Sequence, residues 1–172
     1  MSEAASPTVM IAPYRAGTDR AITDLIVGIQ HDEFGVAITA ADQPDLADIA
    51  GFYCTGAGGF WTASVAGEIV GTIALKAFER DAGALRKMFV APAWRGKAHG
   101  VGAALLATLL AHAQTHGVSL ILLGTTAQFL GAHRFYEKNG FSEMAMDALP
   151  PTFPRMPLDT KFYRLDLGEA AA

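Results

Sequence analysis

Leu85-Arg86-Lys87-Met88-Phe89-Val90-Ala91-Pro92-Ala93-Trp94-Arg95-Gly96-Lys97-Ala98-His99-Gly100-Val101-Gly102-Ala103-Ala104-Leu105-Leu106 is the stretch on which the reading of this chain turns. It starts as a β-prone run that ends at Pro92, passes through a glycine-containing basic loop, and enters a segment where Val101, Leu105, Leu106, Leu109 and Leu110 recur at helical spacing. A strand feeding a helix through such a loop brings unpaired backbone N–H groups and the positive end of the helix to one place, where an anion can sit. Glycines allow close backbone approach, and Arg95 and Lys97 add positive charge. Taken alone, Gly-x-Gly also fits a tight turn with solvated basic residues. Two nucleotide motifs are absent: no Gly-Lys-Ser/Thr follows the loop, and Leu105 interrupts Gly-x-Gly-x-x-Gly.

Working outward toward the N-terminus, β-prone runs are expected at 84–90, 68–77 and 60–66, separated by Asp81 with Gly83 and by Ala66-Gly67, so that the three form an antiparallel meander. Before them, Asp42 and Pro44 read as the cap and first turn of a helix carrying Leu46, Ile49, Phe52 and Tyr53 and ending near Gly56. A helix over about 19–31, capped by Thr18 or Asp19, follows a first strand at Val9 to Tyr14. Toward the C-terminus, the apolar run Val118 to Gly124 predicts a buried central strand. Phe129, Ala132, Phe135 and Tyr136 then share a helix face that stops at Asn139-Gly140. Strands follow at 141–144 and 161–167. Between them lies a stiff loop with prolines at 150, 151, 154 and 157, a candidate pocket wall. The order implies one α/β (α+β) domain over 1–172: a mixed, mostly antiparallel sheet of about seven strands with helices packed on it, and frayed ends at about 1–7 and 168–172.

With 172 residues, the chain buries about 70% of the surface its unfolded form exposes. Thirteen basic against seventeen acidic side chains give a net charge of -4, which offers no electrostatic footprint for nucleic acid or an anionic membrane. No stretch approaches the roughly 18 apolar residues of a membrane span. Cys54 stands alone, so a cytoplasmic setting is expected and a cysteine-based zinc site is excluded. His99, His112, His116 and His133 form no pair with a third ligand at metal spacing, so no metal is expected. A charged share of 17% beside 51% hydrophobic residues leaves an apolar surface that suits a homodimer.

The segment 85–106 resembles the acetyl-CoA-binding motif of the Gcn5-related N-acetyltransferase (GNAT) superfamily, with its strand ending Val-x-Pro and its Arg/Gln-x-x-Gly-x-Gly/Ala loop. Gly131-Ala132-His133-Arg134-Phe135-Tyr136-Glu137-Lys138-Asn139-Gly140-Phe141 is similar to the closing signature of the same superfamily. The two motifs are separated by one helix and one buried strand, as in the family, and the match covers roughly residues 70–145. The resemblance implies direct transfer of an acetyl group from acetyl-CoA to the amine of a small molecule or peptide, on a GNAT-like fold with helices on both faces of the sheet. It implies that Met88, Phe89 and Val90 pair with the pantetheine amides and that backbone N–H groups of Arg95, Gly96, Lys97, Gly100, Val101 and Gly102 hold the pyrophosphate. The strand near 119–125 would splay to admit the cofactor, and Tyr136 would protonate the leaving thiolate.

Two departures stand out. The loop has two more residues between Arg95 and its last glycine than the family pattern, so either Lys97 takes the Arg/Gln place or the loop bulges. Phe129 stands where the family often has Asn, leaving its polar contact to Thr125, Thr126 or Gln128.

An ammonium with a pKa of about 10.4 must lose a proton before it attacks a thioester. Glu33, in the polar interruption after the first helix, is the first candidate for the base, followed by Asp32, His31 and Glu79. Cys54 reads as an inert thiol, and Phe52, Tyr53, Phe60 and Trp61 read as core rather than as an acceptor pocket. Competing readings are an acyl-CoA-binding sensor without catalysis, and an acyltransferase using another acyl-CoA or an O-linked acceptor.

Overall fold

The computed structural model describes residues 8–33, 35, 39–96, 99–126, 129–156 and 159–168. Lys97 and Gln128, both named above, lie outside the described residues. Strands β1 (Val9–Pro13), β2 (Gly59–Val65), β3 (Glu68–Glu79), β4 (Ala82–Val90), β5 (Leu120–Thr125), β6 (Ser142–Met144) and β7 (Lys161–Asp166) form one sheet in the order β1-β2-β3-β4-β5-β7-β6. All pairings are antiparallel except β4 with β5. Helices α1 (Asp19–Asp32), α2 (Ile49–Tyr53), α3 (Val101–Thr115) and α4 (Leu130–Lys138) cover it.

Alternation along β2 and β3 assigns the helices to faces. Trp61, Ala63, Ile73 and Leu75 point into a core with Val101, Leu105, Leu109 and Ala113 of α3 and Tyr136 of α4. Their neighbours Phe60 and Ala74 point the other way, onto Ile22 and Ile26 of α1 and Ile49 and Tyr53 of α2. Among the described residues, no α-helix packs on that second face in the cluster over β5 and β7. Phe153 of the proline-rich loop packs there against Ala84, Leu122 and Phe162, so the stiff loop does the work of a helix.

The helix expected from Asp42 to Gly56 is not one helix. Two 3-10 turns, Ala40–Asp42 and Pro44–Leu46, precede the short α2. The Asp42 side chain is spent on its own turn, accepting from the Thr39 backbone N–H and hydroxyl at 3.0 Å each. Pro44 then lacks an N–H and holds Gln43 out of helical geometry, and Asp48 caps the new start through the Gly51 N–H at 3.0 Å. Gly83 lies inside β4 rather than in the turn; a Cβ there would meet Leu75 Cδ1 at 2.5 Å. Thr18 occupies the N-cap of α1, but its hydroxyl bonds back to the Arg15 carbonyl and does not cap the helix.

The feature that positions the site is the parting of β4 and β5. They pair only at Ala82–Leu120, Gly83–Ile121 and Ala84–Leu122. Beyond that point β4 pairs only with β3 and β5 only with β7, so the sheet splits into a V whose arms carry unpaired backbone edges.

Candidate active site

The V holds two cavities that share Met88, Phe89, Phe129 and Ala132. The first, of about 870 Å³, runs along the β4 edge to the start of α3 and is closed on the far side by Phe135 of α4. Met88, Phe89, Val90, Arg95, Gly96, Gly100 and Gly102 all line it. Val101, expected among these residues, does not line it: its side chain is buried in the core at the first turn of α3.

Local sequence explains this geometry. Gly100 takes φ +63°, a left-handed conformation that glycine adopts without a Cβ penalty, and turns the chain sharply into α3. The first intrahelical bond runs from the Ala104 N–H to the Gly100 carbonyl, at 3.0 Å. The N–H groups of Val101, Gly102 and Ala103 therefore lie at the open, positive end of the helix. Arg95 is latched in place: its Nε donates to the Val90 carbonyl at 2.8 Å, and its two terminal nitrogens donate to the two oxygens of Glu33, one at 2.7 Å. Glu33, at the C-terminus of α1, thus sits in the first cavity with Arg95 and apart from Tyr136. Asp32 and His31 are exposed, and exposed Glu79 accepts a hydrogen bond from Thr152 of the proline-rich loop.

The second cavity, of about 610 Å³, lies deeper in the V, against Tyr136, the end of β5 and the proline-rich loop. Tyr136 is 5% exposed, and burial pushes its phenol far above the usual range, so the hydroxyl keeps its proton across any working pH. Thr126 lines the same space and its buried hydroxyl has no hydrogen-bond partner among the described residues, an orphan that a ligand would satisfy.

Arg86 and Lys87 give this cavity its charge. Ile73 of β3 lies opposite an irregularity in β4, where Lys87 takes φ +53° and its carbonyl accepts from the Thr72 hydroxyl at 2.7 Å. This bulge interrupts the pleat and lets consecutive residues, Arg86 and Lys87, face the cavity. Lys87 is almost fully buried: its Nζ bonds Gln43 Oε1 at 2.5 Å and lies 3.5 Å from Asp45 Oδ2, which also accepts from the Tyr53 hydroxyl at 2.5 Å. Burial lowers the Lys87 ammonium below its ordinary value, against the pull of Asp45. Arg86 has no carboxylate partner among the described residues; it donates to the Met156 sulfur and stands over the rings of Phe52 and Tyr53 at 5.3 and 5.8 Å.

Sequence reasoning missed Arg86, Lys87 and Asp159 as cavity residues. The signal present was two adjacent cations inside an apolar strand and one acid at the end of a proline-rich loop. Tyr53, Phe60 and Trp61 are core, as expected, and half-buried Phe52 supports Arg86. Cys54 is exposed, and partial desolvation raises its thiol above the ordinary value. Among the described residues, no group of three His, Cys, Asp or Glu could hold a metal ion, and no helix is long and apolar enough to cross a membrane.

Residues 24–141 match the acetyltransferase (GNAT) family. The chain is 35% identical over 132 residues to N-acetylaspartate synthetase of Danio rerio, covering 74% of this chain and 46% of that protein, so it spans about half the length of this relative. An acetyltransferase of the GNAT family from Staphylococcus aureus superposes with a TM-score of 0.89 at 34% identity, over 94% of this chain and all of that one. N-acetylglutamate synthase from Neisseria gonorrhoeae, complexed with coenzyme A and N-acetylglutamate, shares the fold with a TM-score of 0.70 at 22% identity, covering 97% of this chain and 36% of that one. The family match over most of the chain, carried on a split seven-stranded sheet, places this protein in the GNAT family of acetyltransferases.

Proposed function

We propose that this chain transfers an acetyl group from acetyl-CoA to the primary amine of a small acceptor that also carries a carboxylate, aspartate being the first to test. The observation that carries the acceptor class is Arg86, a guanidinium in the deeper cavity that makes no ion pair with any carboxylate of the described residues. A planar cation in partly apolar surroundings favours a carboxylate ligand. The relative named N-acetylaspartate synthetase supports the same class.

Acetyl-CoA supplies the acyl group as a thioester. The unpaired β4 edge from Leu85 to Val90 is suited to pair with an extended amide-bearing ligand as an added strand would. The start of α3 receives the pyrophosphate, with Arg95 held over the loop by Glu33 and Val90. With both oxygens taken by Arg95, Glu33 serves this side of the reaction. Tyr136, protonated and buried where the two cavities meet Ala132 and Met88, donates its proton to the leaving thiolate. The lone Cys54 supports a reducing, cytoplasmic setting, and the apolar surface, including Met10 at 65% exposure on edge strand β1, supports a homodimer that sedimentation would reveal.

Calorimetric titration with acetyl-CoA, followed by thiol release against aspartate, glutamate, neutral amino acids, polyamines and peptides, tests this reading. Release with the acidic amino acids is expected, and Arg86→Gln should raise their KM about 10- to 100-fold with a smaller change in kcat. Release only with polyamines or peptides would overturn the acceptor class. Tight acetyl-CoA binding without release from any acceptor would favour a sensor.

A further inference from the structure

The deeper cavity also contains a carboxylate to which acetyl transfer has so far given no role. Asp159, at the end of the proline-rich loop, lines the same space as Arg86, Lys87 and Tyr136. Asp159 and Arg86 carry opposite charge yet make no ion pair. Met156 stands between them: its sulfur accepts from Arg86, and its backbone N–H donates to Asp159 Oδ2 at 3.0 Å. Both charges are thus fixed to one residue and held apart.

The floor beneath Asp159 is Gly124 of β5. A Cβ at Gly124 would lie 2.3 Å from Asp159 Oδ2 and 2.6 Å from its Cγ, so the carboxyl rests directly on backbone that only glycine leaves bare. This is where β5 has parted from β4, beside Thr125 and Thr126.

We propose that Arg86 and Asp159 form a clamp for a zwitterion: Arg86 takes the carboxylate of a free amino acid, and Asp159 takes its ammonium and then its proton. The proposal rests on the acetyl-transfer reading and narrows its acceptor to free amino acids, excluding peptide amines that lack a nearby carboxylate.

In the step that follows, the ammonium gives one proton to Asp159 and the freed lone pair forms the C–N bond as the C–S bond breaks. The leaving thiolate takes the Tyr136 proton, and the second nitrogen proton goes to the Tyr136 oxygen. Asp159 releases its proton to solvent, so ammonium and thioester become amide, thiol and one proton. Burial raises the Asp159 carboxyl above its ordinary value, which makes it the better base, while Arg86 and Lys87 from β4 and Arg155 from its own loop draw it back down. Asp42 and the neutral Tyr136 phenol complete the titratable groups that line this cavity.

The test compares aspartate with succinate, which lacks only the amino group, by calorimetry on the full chain with CoA present. The wild type should bind aspartate at least tenfold more tightly. Asp159→Asn should remove that preference and lower kcat/KM about 100- to 1000-fold, leaving CoA affinity within twofold. In the wild type, log kcat/KM should fall on the acid side through a pKa above the ordinary carboxylate value, and this limb should vanish in Asp159→Asn. Equal binding of aspartate and succinate by the wild type, or an Asp159→Asn enzyme within threefold of wild type at all pH values, overturns the clamp. The first comparison needs no variant and no turnover. A chain that prefers aspartate over succinate but releases no thiol would instead overturn the acetyl-transfer reading and leave the clamp standing.

Discussion

At the scale of single residues, the site depends on polar atoms left unsatisfied or unusually engaged. Tyr136→Phe removes one oxygen from a tightly packed ring between Phe141 and Tyr163, at 5.5 and 6.0 Å, so the fold should be unchanged. The maximal rate should fall about 100-fold, within the range for loss of a general acid, with CoA affinity within twofold. A steady-state thiol-release assay checks this, and an unaltered maximal rate would remove the role. Glu33→Gln breaks a pair whose side chains are 38% and 30% exposed, where solvent limits such a contact to about 0–1 kcal/mol. Thermal stability should therefore barely move. CoA affinity should weaken several-fold as Arg95 loses its latch, and kcat at saturating CoA should hold; a collapse of kcat with normal CoA binding would return Glu33 to the role of base.

At the scale of elements, the strand-loop-helix at 82–115 was legible because three separate signals agreed: β-prone residues, Pro92 after the strand, and leucines at helical spacing. The segment 40–56 was not legible as it stands, because Asp42 can cap a helix or close its own turn, and only the Thr39 contacts select the second. Nor could alternation along β4 reveal that Arg86 and Lys87 face one cavity, since the bulge opposite Ile73 breaks the two-residue period on which such readings rely. The start of α3 gives a direct test. A Cβ at Gly102 would come within 3.3 Å of Met88 Cε and 3.4 Å of Phe135 Cε2, and valine methyl groups would extend into the cleft. Gly102→Val should weaken CoA at least tenfold, about 1.4 kcal/mol, in a calorimetric titration. Gly100→Val should cost about 1–2 kcal/mol of stability as well, because φ +63° forces its Cβ against the following carbonyl.

Over the whole molecule, the same charges that fit the site for chemistry work against the fold. The Asp159 carboxyl is raised, so its ionised form is less favourable in the folded chain than in the unfolded one. Asp159→Asn should then melt above the wild type at neutral pH while losing activity. The difference should shrink as pH falls, and vanish below the ordinary carboxylate value near 3.8, where Asp159 is neutral in both states; melting curves at several pH values would show it. The placement of β7 between β5 and β6 has a wider consequence. The chain leaves β6, crosses the second face as the proline-rich loop, and re-enters the sheet beside β5, contributing Phe153, Pro154, Met156 and Asp159 to one wall of the deeper cavity. The first cavity is lined by the end of α1, β4, the loop after it, α3 and α4, and by none of the described residues of this excursion. Under the proposed reading, acceptor choice is shared between Arg86 of β4 and this excursion, so grafting a different segment between Met144 and Lys161 should alter the acceptor while β4, α3 and α4 stay in place.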